Sequence, residues 1–526
     1  MPFQDRFCVN QSRSKMSLNK DKKALILIIL FSILIRIPYL NCPIHPDEGA
    51  YAYQAYFWLK GINFYRSRFC NTPPGLPLIY ALIFETIGTR VDTLRLFLSI
   101  WNAISVLFVY LITLRLLDKK KALVSAFIFA YLSWLPTLQG IMQKEVFMLL
   151  PYLISLYLYL LYQGKNRIYL LFSGIFLAMT ITIRQTATPL LFHFLLFIYI
   201  QSKRKGRDSL ILLIGVFSPL ILVMLYGYTT LDGMNFFYQV AEYRLTTASI
   251  FVGPWWWHLL RFLYSISVTG IIFLIFAALL GWSYLDREKN FNKLFIISFF
   301  LFSLFGGVMG GRWFFHYYLQ ITPALSIWLG WCTFCILKQK RGIKIIFFIF
   351  LSIPFIFYIF AICYTGDFYL SHEKNYDITL QLSRYIQTHC KQNQEIYAFL
   401  YYNPGLYFLA KRKSAIPYLF RSEILFNPNI LWEVKEAIKH KKIRYLVTYS
   451  LPYSLKIAKM HCGYDTHNFI NLIKACFSPN FVPFCKDYPI QLSLIRQVFK
   501  TIPKYYLPVR SIPFDNTHVI IWKKKD

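Results

Sequence analysis

Carboxylates are scarce in this chain. Asp and Glu total 24 against 57 Lys and Arg, and the four together make up only 15% of 526 residues. An ordinary soluble domain carries about 25% charge, so a soluble enzyme of this length is all but excluded. Disorder is excluded too, because 56% of the residues are hydrophobic and such a chain buries enough apolar surface to fold. Metal-ligand spacing is missing: the ten cysteines are scattered. The one Cys-x-x-Cys pair, Cys332 and Cys335, lies in an apolar run where packing is the better reading. There is no glycine-rich phosphate loop, internal repeat or low-complexity linker, which argues against a nucleotide site and against repeat-built transporters.

What the chain does have is long apolar runs and a net charge of +33. In a soluble chain that excess points to nucleic acid; in one this apolar, basic loops facing a cytoplasm come first. A span needs about 20 mostly apolar residues. Candidates are Ala24–Leu40, Leu94–Leu117, Ala122–Leu138, Val146–Leu161, Ile168–Ile183, Leu190–Ile200, Leu210–Tyr228, His258–Leu280, Leu294–Gly310, Leu319–Leu337 and Ile345–Tyr364. The two flanking Arg184 are short and read as a tight pair.

Charge alternation tests this register. With Lys20, Lys22 and Lys23 inside, the returning loops hold Lys119–Lys121, Lys165 and Arg167, Lys203–Lys205 and Arg207, Arg287, Lys289 and Lys293, and Lys338, Lys340, Arg341 and Lys344. Every strongly basic short loop then falls on one side, as the positive-inside rule requires. The register holds only if Pro73–Gly88 does not cross; it is short and starts Pro-Pro, so an amphipathic helix lying on the membrane suits it. The first run lacks a small-residue cleavage site and reads as a retained signal-anchor.

The expected architecture is a polytopic α-helical membrane protein of about eleven transmembrane helices. Residues 1–23 form a cytoplasmic tail, 24–364 the membrane domain with a first external loop at 41–93, and 365–526 an extracytoplasmic α/β domain. In that last part Asp377–His389 and Asn429–Lys442 predict helices, and Glu395–Leu400, Arg444–Ser450 and His518–Trp522 predict short strands. Cys42 and Cys70 bracket the external loop and could pair in an oxidising compartment, although pairing is not legible in sequence.

Charged groups at the external boundary carry the chemical information, because burial there is expensive. His45-Pro46-Asp47-Glu48 follows a span end and opens an aromatic segment. Asp47 suits a helix N-cap and Glu48 a first turn; equally, a carboxylate beside a cavity suits a general base. Glu145 is a second acid on that face, after Lys144. Arg184-Gln185-Thr186 interrupts an apolar region, and a boundary Arg there wants an anion. Aromatic-belt placement explains Trp313 and Tyr318 but not Arg312 and His316 together. Acids and cations at one depth suggest a site that holds an anionic lipid headgroup and abstracts a proton.

The string His45-Pro46-Asp47-Glu48-Gly49-Ala50-Tyr51-Ala52-Tyr53, with Asn71-Thr72-Pro73-Pro74-Gly75-Leu76 and then Arg95, resembles the GT-C superfamily. More narrowly it resembles the bacterial protein-mannosyltransferase-like and aminoarabinose-transferase-like membrane glycosyltransferases. Arg184-Gln185-Thr186 and the segment from Gly311-Arg312 through His316-Tyr317-Tyr318-Leu319-Gln320 are similar to later segments, so the likeness runs along essentially the whole chain. It implies a GT-C fold in a bacterial plasma membrane. It also implies transfer of a hexose or pentose from a polyprenyl-phosphate donor to a lipid, glycan or protein acceptor on the extracytoplasmic face.

By that resemblance Asp47 is the base, with Glu48 and Glu145 as further catalytic candidates. Arg95, Arg184, Arg312, His316 and Tyr317 are candidates for donor phosphate or substrate. The helices near Glu48–Lys60 and Pro73–Gly88 are implied to lie along the membrane. Two departures stand out. Thr72 replaces the Lys many relatives have before Pro-Pro, leaving Arg66 or Arg68 to supply that contact, and Gln143-Lys144-Glu145 replaces the usual Arg-and-Asp pattern. No cofactor is expected with certainty; a divalent cation is left open, without an obvious metal cage, and no nucleic-acid partner is expected. The competing class is a transporter or flippase of lipid-linked saccharides, which tends to place charges near mid-span and to show repeats.

Overall fold

The computed structural model describes residues 15–37, 40, 44–63, 65, 73–134, 143–162, 166–230, 236–237, 239–240, 255–285, 290–311, 313–364, 366–401, 403–419, 424–425, 428–440, 443–462, 488–514 and 517–525. Arg312, Cys42, Cys70, Arg66, Arg68, Thr72, the turn at Gly140, and the loop cations Lys165, Arg287 and Lys289 lie outside the described residues.

Each of the eleven apolar runs holds helix among its described residues. In chain order these are α1 (Lys15–Leu34), α2 (Pro46–Trp58), α3 (Gly75–Thr86), α4 (Val91–Leu116), α5 (Lys119–Leu132), α6 (Lys144–Tyr162) and α7 (Ile168–Ile183). Next come α8 (Pro189–Gln201), α9 (Lys205–Thr230), α10 (Trp255–Val268), α11 (Ile271–Trp282), α12 (Asn290–Val308), α13 (Thr322–Ile336) and α14 (Arg341–Tyr364). Three-residue and seven-residue 3₁₀ turns, Gln185–Ala187 and Phe315–Ile321, precede α8 and α13. By length and composition, five helical segments among the described residues are long and apolar enough to cross a membrane, or six if the bent pair α10 and α11 is one span.

The surface agrees with a bilayer. Helix α9 turns Leu210, Ile214, Phe217, Ile221 and Leu225 outward, all about half exposed, at helical spacing. Left in water, each such side chain would forfeit about 1.5–3 kcal/mol of burial. The chain is an integral membrane protein. Inside the bundle, small residues let backbones meet: a Cβ on Gly215 of α9 would stand 2.3 Å from the Leu171 carbonyl oxygen of α7, and one on Gly174 would stand 2.5 Å from the Leu212 oxygen.

Three expectations need correcting. His258–Leu280 is not one straight span; α10 and α11 meet at 83°. Gly270, at φ +73°, takes the left-handed conformation that ends one helix and starts the next, and a Cβ there would press Pro354 of α14 at 3.1 Å. The helix expected at Asp377–His389 begins earlier, as α15 (Gly366–His389), directly after α14. A fourth strand, β3 (Tyr506–Phe514), was not among the expected ones; it carries Pro508 and Pro513 and survives as an edge, where the missing N–H groups are tolerated.

The carboxyl-terminal part continues with β1 (Glu395–Phe399), α16 (Gly405–Ala410), α17 (Pro428–His440), β2 (Ile443–Tyr449), α18 (Leu451–Cys462) and α19 (Tyr488–Tyr505). After β3 it closes with β4 (Thr517–Lys524). The sheet order is β1-β2-β4-β3, with β1 and β2 parallel and the other pairs antiparallel, so Val447 faces Ile521 in register. Ile396, Leu446, Ile438 and Val498 fill its core. This domain rests on α2 and α3: the Phe408 ring stacks on Phe84 at 5.6 Å, and Tyr407 lies 5.5 Å from Tyr53.

Candidate active site

The site begins where α2 begins. His45 is the N-cap, with its Nδ1 accepting from the Asp47 backbone N–H at 3.3 Å, and Pro46 supplies the first helical residue with no N–H to satisfy. The Glu48 carboxylate reaches back and accepts from the His45 N–H at 2.8 Å, closing a capping box in which His stands in for Ser or Thr. Capping therefore consumes His45 and Glu48, not Asp47.

The two adjacent acids diverge. Glu48 turns inward, its side chain only 2% exposed, and Arg95 Nη2 donates to it at 2.9 Å from the first turns of α4. Arg95 is 3% exposed and also donates to the Leu40 carbonyl at 3.4 Å. Asp47 stays 34% exposed; Gln143 Nε2 donates to its Oδ2 at 3.3 Å, and His45 Nδ1 lies 4.0 Å away.

Gln143 leads into α6, whose first turn brings Lys144 and Glu145. The Lys144 ammonium sits 5.5 Å from the Tyr51 ring centre. Glu145, 4% exposed, pairs with Arg184 and has His316 Nε2 at 3.7 Å. Arg184 caps the end of α7 in an extended conformation, its N–H bonded to the Thr180 carbonyl. Its Nε donates to Thr186 Oγ1 at 2.7 Å, and its guanidinium lies 4.0 Å over the Tyr317 ring. Thr186 in turn donates to Gln320 Oε1 at 3.2 Å, which locks the Arg184 turn to the 3₁₀ segment carrying His316 and Tyr317. Asp47, Glu145, Arg184, His316 and Tyr317 thus belong to one cluster, with the Glu48–Arg95 pair beneath α2.

Sequence reasoning passed over Arg261. It is buried in α10, 5.8 Å over the Trp257 ring, one turn before Ser265, whose hydroxyl donates to the Trp313 carbonyl at 2.9 Å. The signal was available: an arginine inside an apolar run is a functional candidate by default. Among the described residues no group of three His, Cys, Asp or Glu could hold a metal ion.

A helical membrane bundle roofed by a small α/β domain is the GT-C fold, shared with the ArnT and AglB structures. The structure is similar to ArnT from Cupriavidus metallidurans bound to undecaprenyl phosphate, with a TM-score of 0.56 and 11% identity over 82% of this chain and 93% of that one. It is also similar to the archaeal oligosaccharyltransferase AglB from Archaeoglobus fulgidus in complex with an inhibitory peptide and a dolichol-phosphate. There the TM-score is 0.52 and the identity 12%, over 84% of this chain and 73% of that one. At such identities the likeness is one of fold. In sequence, residues 71–228 match the family model of dolichyl-phosphate-mannose-protein mannosyltransferase. No curated protein matches the chain in sequence.

Proposed function

We propose that the protein is a glycosyltransferase that moves a monosaccharide from a polyprenyl-phosphate donor to a lipid, glycan or protein acceptor. The carrying observation is the division of labour among three carboxylates: Glu48 and Glu145 are buried against arginines, while Asp47 keeps a third of its side chain open. The polyprenyl phosphates bound by ArnT and AglB support a lipid-phosphate donor for a chain of this fold.

In this reading the acceptor hydroxyl gives its proton to Asp47 as its oxygen attacks the anomeric carbon. The bond from that carbon to the phosphate oxygen breaks on the opposite face, so configuration inverts. Cations beside the leaving polyprenyl phosphate offset its developing charge; we assign Arg184, Arg261 and Arg312 to that role, and His316 to hydrogen bonding. Glu145 aims Arg184, Tyr317 supports the guanidinium face, and the Glu48–Arg95 pair anchors the turn that presents Asp47. The basic loops support a reading in which the amino terminus is cytoplasmic and the site lies outside with the carboxyl-terminal domain.

Membranes carrying Asp47→Asn, supplied with radiolabelled polyprenyl-phosphate sugars, test the assignment. Transfer should fall by at least about 100-fold; transfer at the wild-type rate would refute Asp47 as base.

A further inference from the structure

Among the described residues, the carboxyl-terminal domain meets the start of α2 at a narrow seam. Helices α2 and α16 touch backbone to backbone: a Cβ on Gly49 would stand 2.3 Å from Gly405 Cα, and one on Gly405 would stand 2.8 Å from Asn403 Oδ1. Glycine at 49 permits that backbone approach, and glycine at 405 leaves room for the Asn403 side chain. One turn further along α2, the Tyr53 hydroxyl accepts from the Ser414 N–H at 2.9 Å.

Asn403 lies in this seam, 6% exposed. Its Oδ1 accepts from the Gly405 N–H at 2.8 Å, and its Nδ2 donates to the Ile44 carbonyl at 3.1 Å. That carbonyl shares a peptide plane with the His45 N–H, which donates to Glu48. One rigid peptide unit is therefore held at both ends, by Glu48 from the membrane domain and by Asn403 from the carboxyl-terminal domain. His45, the next residue, caps the helix and directs the Asp47 N–H.

We infer that Asn403 is a positioning residue: by clamping the Ile44–His45 peptide it sets the angle at which the chain enters α2 and so where the Asp47 carboxylate stands. The catalytic consequence rests on the function proposed above; the clamp itself does not. Glu48 alone leaves the plane free to tilt about its N–H, and a tilt carries Asp47 with it. Displacing a reacting group by about 1 Å costs on the order of 100-fold in rate. The carboxyl-terminal domain is thus a part of the site's scaffold.

The test uses the full-length protein in lipid nanodiscs. Asn403→Asp keeps the shape and the acceptor for Gly405 but cannot donate to Ile44. Gly405→Ala wedges the same seam from the other side. For both, hydrogen exchange at residues 44–50 should rise about tenfold while the sheet of the carboxyl-terminal domain keeps its protection. With whichever polyprenyl-phosphate sugar the wild type turns over, kcat should fall about 10–100-fold while KM and undecaprenyl-phosphate affinity stay within about threefold. Unchanged exchange at 44–50 in Asn403→Asp would overturn the clamp. Exchange rising throughout the carboxyl-terminal domain, with activity lost in step with folded protein, would reduce Asn403 to a structural role and overturn it too. If the wild type turns over no such sugar, the proposed function fails, and the exchange measurement still decides the clamp.

Discussion

Changing Glu48 and Asp47 separately to their amides should give opposite phenotypes, although the two residues are neighbours. For Glu48 the magnitude follows from its pair with Arg95, 2.9 Å apart with side chains 2% and 3% exposed. At an effective dielectric constant of about 20, unit charges at that distance attract by roughly 6 kcal/mol. Desolvating both groups offsets much of this, yet removing one member of a buried pair still costs about 3–5 kcal/mol, because the other charge stays behind. Glutamine keeps the length and can still accept from the His45 N–H, so Glu48→Gln belongs near the lower end, about 3 kcal/mol. Arg95→Met added to Glu48→Gln removes the buried charge and should recover at least half of that loss.

Denaturant unfolding in mixed micelles, followed by tryptophan fluorescence, measures these differences. Asp47→Asn, on a partly open side chain facing Gln143, should lie within about 0.5 kcal/mol of wild type and lack transferase activity. An inactive Glu48→Gln with wild-type stability would show that Glu48 does chemistry, and a double variant no better than the single would show that the pair is not coupled. Either result defeats the reasoning.

Three further outcomes are expected. Arg184→Lys keeps a charge beside Glu145 but loses the simultaneous Thr186 bond and Tyr317 stacking; undecaprenyl phosphate should bind about tenfold more weakly in a lipid-pulldown titration, and wild-type affinity would contradict the phosphate role. Gly215→Ala drives a methyl into the Leu171 carbonyl oxygen, so the helices must separate and the unfolding midpoint should drop by about 1–3 kcal/mol equivalent; an unchanged midpoint would mean that the α7–α9 contact is looser than described. Burial pushes the Cys390 thiol above its ordinary pKa, and the thiolate is the reactive form. Peptide-level mass spectrometry should therefore find Cys390 slow to alkylate at neutral pH until the domain unfolds, and prompt labelling would refute this.

Apolar runs were legible because a bilayer demands them along the chain itself, whatever the neighbours are. The α10–α11 bend was not, since a glycine inside an apolar run is commonplace and the feature that gives Gly270 its meaning is Pro354, on another helix. Strand β3 hid for a related reason: Pro508 and Pro513 forbid a central strand but not an edge, and edge position is a property of the finished sheet. The seam at Asn403 was illegible as well, because a clamp between residues 44 and 403 leaves no mark at either end.

For the site, scarcity made the acids traceable while leaving their duties undecided. That Asp47 and Glu48 stand at a span boundary could be read directly; which of them keeps an open carboxylate depends on Arg95, brought in by α4, and on a histidine taking the capping role usually left to Ser, Thr or Asp. Arg261 was absorbed into an apparent span because an apolar average hides one arginine. A carboxylate buried at a membrane boundary persists only with a partner. Glu48, Glu145 and Asp208 each have an arginine against them, so their positions are explained by folding alone. Asp47 has a glutamine and a capping histidine instead, and its partly open carboxylate is left within reach of an acceptor hydroxyl, as a general base must be.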